Sequence, residues 1–217
     1  MKLVIILPYP QKKSLDIQSY LGDQLPRETS TNYKKAKTYY KGRFIEAINN
    51  FLHEFASNNG IIIGEDIADP YGGAFKATKG ISNKYPKQLI TTPISEATIV
   101  GMAAGIALSG GKVCAEIMFG DFVTNAYDQI INGISKYYHM YGKKVSCPVM
   151  LRMPMGGKRG YGPTHSQSIE KFLCGIDNVL VVSATSLEDP NLTYKDIFTQ
   201  KCPSIINKKN ILIAPSW

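Results

Sequence analysis

From residue 41 onward, short apolar runs alternate with longer amphipathic stretches, and this alternation limits what the chain can fold into more than any other feature. The apolar runs have the length of buried strands, and they occupy 61–63, 89–91, 113–118, 148–153, 179–182 and 205–213. Apolar residues at helical spacing lie between them, at 44–55, 96–108, 122–141 and 166–172. Alternation of this kind predicts βαβ units, and hence an α/β fold with a mainly parallel sheet and helices on both faces.

Residues 9–40 differ from the rest of the chain because they are polar and irregular, and together with the short apolar run at 3–7 they form the segment 1–40. They contain Pro10, Pro26 and a cluster of Thr, Ser and Asn at 29–32. We therefore expect an extended N-terminal arm that is partly disordered or wrapped on a partner. Residues 41–217 are expected to form one α/β domain, a size that a single hydrophobic core supports.

The net charge of +8 comes from 25 Lys and Arg against 17 Asp and Glu, a balance that can attract acidic partners. The basic residues are scattered and no nucleic-acid-binding motif is present, so we interpret them as solvated surface. The apolar run at 3–7 ends at Pro8, is too short to cross a bilayer and lacks a small-residue cleavage site. We therefore expect a cytoplasmic protein with no nucleic-acid or membrane partner.

The four cysteines, Cys114, Cys147, Cys174 and Cys202, form no CxxC pair, and three of them lie within or beside apolar strand-like runs. This spacing is typical of buried free thiols in a reducing compartment. Neither a disulfide framework nor a metal site is therefore predicted.

Residues able to do chemistry follow several of the predicted strands. Glu65 follows the first strand, the segment 94–96 follows the second, 118–122 follows the third and His165 comes after the fourth. In an open parallel sheet, ligands bind at the carboxyl ends of the strands. We therefore expect these residues to gather along one edge of the sheet.

Three segments of the sequence carry a resemblance to a known family. They read Thr-Thr-Pro-Ile-Ser-Glu-Ala at 91–97, Glu-Ile-Met-Phe-Gly-Asp-Phe at 116–122 and Thr-His-Ser-Gln-Ser at 164–168. In order and spacing they resemble the thiamine-diphosphate-binding beta subunit of the decarboxylase component of 2-oxo acid dehydrogenases, of the pyruvate and branched-chain types. The similarity extends over residues 41–206 and implies the transketolase-like pyrimidine-binding fold.

The resemblance implies two catalytic residues, Glu96 and His165. In the family, the glutamate at the position of Glu96 hydrogen-bonds N1′ of the cofactor's aminopyrimidine through a protonated carboxyl, which a partly buried site favours. The histidine at the position of His165 assists the reaction intermediate and acyl transfer to lipoyl groups. Without the resemblance, Glu96 would be interpreted as an acid at a helix start and His165 as a helix-start histidine bonded to backbone.

The resemblance also implies cofactor contacts from Glu65, Ile94, Met118 and Phe122, in addition to Glu96. An aromatic ring at the Phe122 position packs against the aminopyrimidine in the family, and Met118 would line the same pocket. By residue type alone, Phe122 and Met118 would be interpreted as core side chains.

The chain contains no Gly-Asp-Gly motif, which in the family is followed by an asparagine and holds the diphosphate and its magnesium ion. The nearest segments are Gly22-Asp23-Gln24 and Gly120-Asp121-Phe122, and a P-loop and a GxGxxG are absent as well. The resemblance therefore implies that thiamine diphosphate is shared with a diphosphate-binding alpha-type subunit, which holds the magnesium. A second copy of this chain and a lipoyl-bearing acyltransferase are further implied partners. The small side chains at 97–108 would suit a contact with such a partner, or packing inside the core.

Two departures from the family leave other functions open. The family's usual C-terminal domain has no counterpart before Trp217, and residues 1–40 have no counterpart either. Half of a split transketolase-like enzyme and a shortened non-catalytic assembly partner are therefore alternatives. The pairing of segments 91–97 and 164–168 favours the dehydrogenase group over transketolases. The joint presence of Glu96, Phe122 and His165 argues against a non-catalytic paralogue.

Overall fold

One parallel sheet forms the centre of the structure, a computed structural model that describes residues 42–157, 160–184 and 189–209. Within these residues the strands are β1 (Ile61–Gly64), β2 (Leu89–Thr91), β3 (Val113–Glu116), β4 (Val149–Met155), β5 (Leu180–Ala184) and β6 (Ser204–Lys209). They lie in the order β2-β1-β3-β4-β6-β5, and each is parallel to its neighbours. The predicted α/β fold with a parallel sheet is confirmed. The predicted arm at 1–40 lies outside the described residues.

Helices cover both faces of the sheet, as the alternation predicted. The described α-helices are α1 (Phe44–Ser57), α2 (Ile81–Lys84), α3 (Glu96–Leu108), α4 (Tyr137–Met140), α5 (Glu170–Leu173) and α6 (Pro190–Phe198). On one face, α1 and α6 pack against Ile62 and Cys114. On the other face, α3 and the helical turns after β3 pack against Ile63 and Ala115. Successive strand residues point to opposite faces, so Ile62 and Ile63 belong to different cores.

Helix α1 shows how the local sequence and the packing agree. Ile48, Phe51, Leu52 and Phe55 recur at the spacing of one helical face, and all four are buried. The helix ends before Gly60, whose N–H donates to the Phe55 carbonyl (2.9 Å). A Cβ at Gly60 would lie 2.3 Å from the Phe55 ring, so the close approach of backbone and ring requires glycine.

The stretch predicted as a helix at 122–141 is helical but is not one α-helix. It consists of a 3₁₀ segment (Gly120–Ala126), a π-helical segment (Gln129–Ile134) and α4. Ile130 and Ile134 are buried, as the apolar spacing predicted. Changes between 3₁₀, π and α geometry alter the residues per turn by small amounts, which an apolar period does not resolve.

Two further elements differ from the sequence expectations. The stretch 166–172 contains only the short α5, which follows a 3₁₀ turn at Pro163–His165. Helix α6 is not predicted by the apolar spacing, although its start carries recognisable signals. Asp189 accepts the Asn191 N–H through its side chain (3.0 Å), and Pro190 occupies the first turn.

The cysteines agree with the expectation from their spacing. All four cysteines are free, and Cys114, Cys147 and Cys202 are buried. Burial raises the pKa of the Cys114 and Cys147 thiols to about 12, so both stay protonated. No helix among the described residues is long and apolar enough to cross a membrane. The same residues contain no cluster of three His, Cys, Asp or Glu side chains that could hold a metal ion.

Candidate active site

Four neighbouring strands end at the same edge of the sheet, and the residues singled out in the sequence follow them. Because β2, β1, β3 and β4 are adjacent and parallel, their carboxyl ends lie side by side. Glu65 follows β1, Glu96 follows β2, Phe122 follows β3 and His165 follows β4. These four residues therefore share one edge of the sheet, as the topology predicted.

Glu65 is a buried carboxyl beside a second buried carboxyl. Its side chain is 6% exposed, and its Oε2 has no hydrogen-bond partner among the described residues. Burial raises the pKa of Glu65, and the negative charges of Glu96 and Asp66 raise it further. Glu65 therefore holds its proton to a higher pH than an exposed glutamate does, and its Oε2 is buried without a partner in the described part of the chain.

Glu96 occupies a different environment, although it is equally buried. It is the first residue of α3, where the helix dipole stabilises negative charge. Asn125 donates from Nδ2 to Glu96 Oε2 (3.2 Å). The two glutamates are therefore distinguished by their surroundings: Glu65 has an oxygen without a partner among the described residues, whereas Glu96 lies at a helix start and accepts a hydrogen bond from Asn125.

His165 is enclosed by aromatic rings from the neighbouring segment. Its ring centroid lies 5.0 Å from that of Phe119 and 5.1 Å from that of Phe122, with both pairs close to perpendicular. Nδ1 pairs with the Thr164 hydroxyl (2.9 Å). Nε2 is therefore the ring nitrogen that Thr164 does not engage.

Five rings contact one another at this edge and form what we call the aromatic cluster: Phe75, Phe119, Phe122, Tyr161 and His165. Phe119 takes part in most of these contacts. Phe119 contacts Phe75 (6.2 Å), Tyr161 (5.7 Å) and Phe122 (6.3 Å) as well as His165. Edge-to-face pairs at these distances attract one another beyond simple burial. The cluster gives this edge of the sheet an aromatic wall beside the imidazole.

A buried ion pair holds the loop after β1 against the end of the sheet. Glu116 and Arg152, on adjacent strands, form a salt bridge with both side chains buried. The other oxygen of Glu116 accepts the Ala74 N–H (3.1 Å). A Cβ at Gly73 would lie 2.9 Å from that oxygen, and Gly73 has φ +71°, so the close approach requires glycine. The loop that carries Phe75 is therefore tied to β3 and β4.

The remaining predicted contact residues, Met118 and Ile94, differ in exposure. Met118 is 9% exposed and forms part of the buried base of the edge. Ile94 is 78% exposed, so in this chain it offers an open apolar surface rather than a pocket wall.

Sequence reasoning missed several residues of this edge. The sequence did not identify Asn125 as the hydrogen-bond partner of Glu96. The one indication was that Asn125 lies three residues after Phe122 in a stretch predicted as helical. Phe119 and Asp121 lie inside the quoted segment at 116–122, but nothing in the sequence says which of its side chains face His165. Phe75 and Tyr161 carry no local signal.

Comparison with known proteins places the chain in a family. Residues 43–207 match the family described as the transketolase, pyrimidine binding domain. The chain is 34% identical over 160 residues to 2-oxoisovalerate dehydrogenase subunit beta 2, mitochondrial, of Arabidopsis thaliana, covering 67% of this chain and 44% of that protein. It is 33% identical over 170 residues to the pyruvate dehydrogenase E1 component subunit beta, mitochondrial, of Bos taurus, covering 77% and 47%. It is 34% identical over 157 residues to the pyruvate dehydrogenase E1 component subunit beta of Rickettsia conorii, covering 72% of this chain and 48% of that protein.

A solved structure shows the same fold. It is described as a split gene transketolase, inactive beta4 tetramer, and matches with a TM-score of 0.60 at 18% identity, over 76% of this chain and 50% of that one. The chain spans about half the length of the curated relatives it matches. Because the family match covers most of the described residues, the chain belongs to the transketolase pyrimidine-binding domain family, in which its relatives are beta subunits of 2-oxo acid dehydrogenases.

Proposed function

We propose that the chain acts as a beta-type subunit of a thiamine-diphosphate-dependent 2-oxo acid dehydrogenase, in the component that decarboxylates the 2-oxo acid. The observation that carries the proposal is the buried Glu65 carboxyl with an unused oxygen, next to Glu96 and on the same edge as His165. A carboxyl with a raised pKa and a histidine are groups that proton transfer at such a site uses. Family membership and the similarity to beta subunits support the same function.

The residues at this edge fit the aminopyrimidine of thiamine diphosphate. The Oε2 of Glu65 is buried without a partner among the described residues and would hydrogen-bond a ring nitrogen once ligand binding uncovers it, while Phe122 and Met118 offer aromatic and apolar surface. When bound, thiamine diphosphate supplies the nucleophilic carbon and the electron sink that decarboxylation of a 2-oxo acid requires. Glu65, Ile94, Glu96, Met118 and Phe122 would hold the pyrimidine half of this cofactor.

The two glutamates have separate roles in this proposal. The resemblance assigned the protonated carboxyl to Glu96, whereas burial and the charge of Glu96 favour a proton on Glu65. We assign the hydrogen-bonding proton to Glu65, with Glu96 as the neighbouring carboxyl at the start of α3. His165 serves as the acid–base group on the substrate side, through Nε2.

A partner must complete the site. The chain contains no Gly-Asp-Gly motif, so an alpha-type subunit would bind the diphosphate and its magnesium ion. A second copy of the chain and a lipoyl-bearing acyltransferase are further proposed partners. A cytoplasmic location stays a prediction from the sequence.

The proposal is tested by co-expressing the chain with an alpha-type subunit that carries Gly-Asp-Gly. The purified complex is given pyruvate, branched-chain 2-oxo acids and ketose phosphates in turn, with thiamine diphosphate and magnesium. Release of carbon dioxide from a 2-oxo acid is the expected result. Turnover of ketose phosphates alone would establish the split transketolase-like alternative. A stable complex that turns over neither class would establish a non-catalytic assembly partner.

The assignment of the two glutamates is tested in the same complex with Glu65→Gln and Glu96→Gln. Losing the group that holds the proton should lower turnover by about 10²–10⁴-fold. We expect the larger loss in Glu65→Gln, because glutamine matches its shape but has no carboxylic acid proton. Glu46→Gln, an exposed acid on α1, is the matched control. A larger loss of turnover in Glu96→Gln would show that Glu96, not Glu65, supplies the hydrogen-bonding proton.

A further inference from the structure

We propose that Phe119 and Asp121 are positioning residues that hold His165 in the active site. The effect of this positioning on catalysis rests on the proposed function, whereas the positioning of the His165 ring does not. Phe119 contacts the imidazole directly, and Asp121 holds the backbone two residues after it. Neither residue was assigned a role by the sequence or by the family resemblance.

The segment that carries His165 has little local structure of its own to fix the ring. It follows a glycine-rich loop in which Gly156, Gly160 and Gly162 have positive φ angles. The 3₁₀ turn that ends at His165 is three residues long. A short turn after flexible glycines does not set a side-chain position by itself, so the constraint must come from elsewhere in the fold.

The constraint comes from the turn that begins directly after Phe119. The centroids of Phe119 and Phe122 lie 5.0 and 5.1 Å from that of His165, at interplanar angles of 80° and 89°. The turn lies close against β4, since a Cβ at Gly120 would lie 2.8 Å from the Met155 side chain. Two rings anchored on the sheet therefore leave the imidazole few orientations.

Asp121 adds a polar anchor to these ring contacts. Its buried side chain accepts the Gln167 N–H through Oδ1 (3.1 Å). The Gln167 carbonyl accepts the Gly156 N–H (2.9 Å), so the peptide groups on both sides of Gln167 are fixed. The backbone directly after His165 is thereby tied both to the turn after β3 and to the end of β4.

The first test observes the imidazole directly, in the isolated full chain. The chain has three histidines, His53, His139 and His165, so the ring signals of ¹³C-labelled histidine can be assigned with His165→Gln. The rings of Phe119 and Phe122 should displace the His165 signals from those of free histidine. Phe119→Leu should move the signals back toward free histidine. Phe75→Leu, which removes a ring of the cluster that is not paired with His165, is the matched control and should move them far less.

Asp121 is tested in the same spectra by two substitutions. Asp121→Ala removes the acceptor for Gln167 and should shift or broaden the His165 signals, whereas Asp121→Asn keeps an acceptor oxygen and should restore most of the parent spectrum. Unchanged His53 and His139 signals show that a variant is folded. If Asp121→Ala is not folded, Phe119→Leu decides alone. Parent-like His165 signals in folded Phe119→Leu would overturn the proposal.

The second test asks whether Phe119 acts through His165 during turnover. In the complex with the alpha-type subunit, Phe119→Leu should lower kcat about tenfold to a hundredfold while KM for the 2-oxo acid changes little. Phe172→Leu, on an exposed side chain, is the control. Adding Phe119→Leu to His165→Gln should cause almost no further loss. A fully additive loss would overturn the proposal. A complex with no 2-oxo acid activity would contradict the proposed function instead, and the spectra would still decide the positioning.

Discussion

Glu65 and Glu116 are buried carboxyls at the same edge of the sheet, but their surroundings differ. Glu116 pairs with Arg152 and accepts the Ala74 N–H, so its charge is compensated on both oxygens. Glu65 has an oxygen without a partner among the described residues, and burial raises its pKa. A compensated buried charge holds structure together, whereas an uncompensated one is typical of functional sites.

The raised pKa of Glu65 predicts how stability depends on pH. A group with a raised folded-state pKa contributes stability below its unfolded pKa, and this contribution is lost as pH rises through the folded pKa. Glu65→Gln removes the titration. The variant should therefore gain stability relative to the parent as pH rises from the normal range of glutamate upward. Urea unfolding at a series of pH values measures this. Parallel plots of unfolding free energy against pH for the parent and Glu65→Gln would contradict this prediction. Glu46→Gln, at an exposed position, is the control.

The Glu116–Arg152 pair predicts a large loss when one partner alone is removed. Glu116→Gln leaves the buried Arg152 charge without its partner, and Arg152→Met leaves the Glu116 charge. Each should lower the free energy of unfolding by about 3–5 kcal/mol. The double variant should lose less than the sum of the two, because no lone charge remains. Urea unfolding of the three variants gives the coupling, and purely additive losses would show that the pair is not coupled.

At the scale of single elements, α3 has two different faces. Its inner face buries Ile99, Val100, Ala103, Ala104 and Ala107 in the core. Its outer face, which we call the α3 stripe, consists of Thr98, Gly101, Met102, Gly105 and Leu108 and is exposed. Apart from the adjoining residues and backbone of α3 itself, no atom of the described residues lies within 4 Å of a Cβ built on Gly101 or Gly105. The helix therefore packs in the core, as one expectation held, and still has an open surface of small and apolar residues.

Gly105→Ala distinguishes the packing of α3 in the core from a contact of α3 with a partner subunit. In the isolated chain the added methyl meets no other element among the described residues, so the higher helix propensity of alanine should raise the free energy of unfolding by about 0.5–1 kcal/mol. If the α3 stripe is the contact with a partner subunit, the same methyl should weaken assembly, because close helix approach requires glycine. Sedimentation equilibrium with and without the alpha-type subunit measures assembly. Asn50→Ala, on the exposed face of α1, is the control, and unchanged assembly in Gly105→Ala would exclude this part of the stripe from a close contact.

At the scale of the whole molecule, the proposed function makes this chain one half of a binding site. Carboxyls, an aromatic wall and a histidine line one edge of the sheet, but the sequence offers no motif for a diphosphate and its magnesium ion. The cofactor would therefore lie between this edge and a second subunit.

Cofactor binding should accordingly depend on the partner. Calorimetry of the isolated chain with thiamine diphosphate and magnesium should show no binding at micromolar concentrations, because the diphosphate contributes most of the charge that proteins recognise. Addition of an alpha-type subunit should produce binding, and Glu65→Gln should weaken it less than it lowers turnover. Micromolar binding by the isolated chain would contradict a shared site.

The order and type of most elements followed from the sequence alone. Apolar period and run length depend on residues close together in the chain, so α1, α3 and all six strands were predictable to within a few residues. The placement of Glu65, Glu96, Phe122 and His165 on one edge was predictable as well, because strand ends coincide in any parallel sheet.

Tertiary structure alone decided the chemistry of that edge. The raised pKa of Glu65 depends on burial and on Glu96, thirty-one residues away in the chain. His165 contacts Phe119, and Asp121 accepts a hydrogen bond from Gln167. Both contacts link the segment after β3 to the segment after β4, and the paired residues are about forty-six positions apart in the chain. Short-range patterns carry no record of such distances, since burial, charge coupling and ring contacts are set only when strands from distant parts of the chain lie side by side.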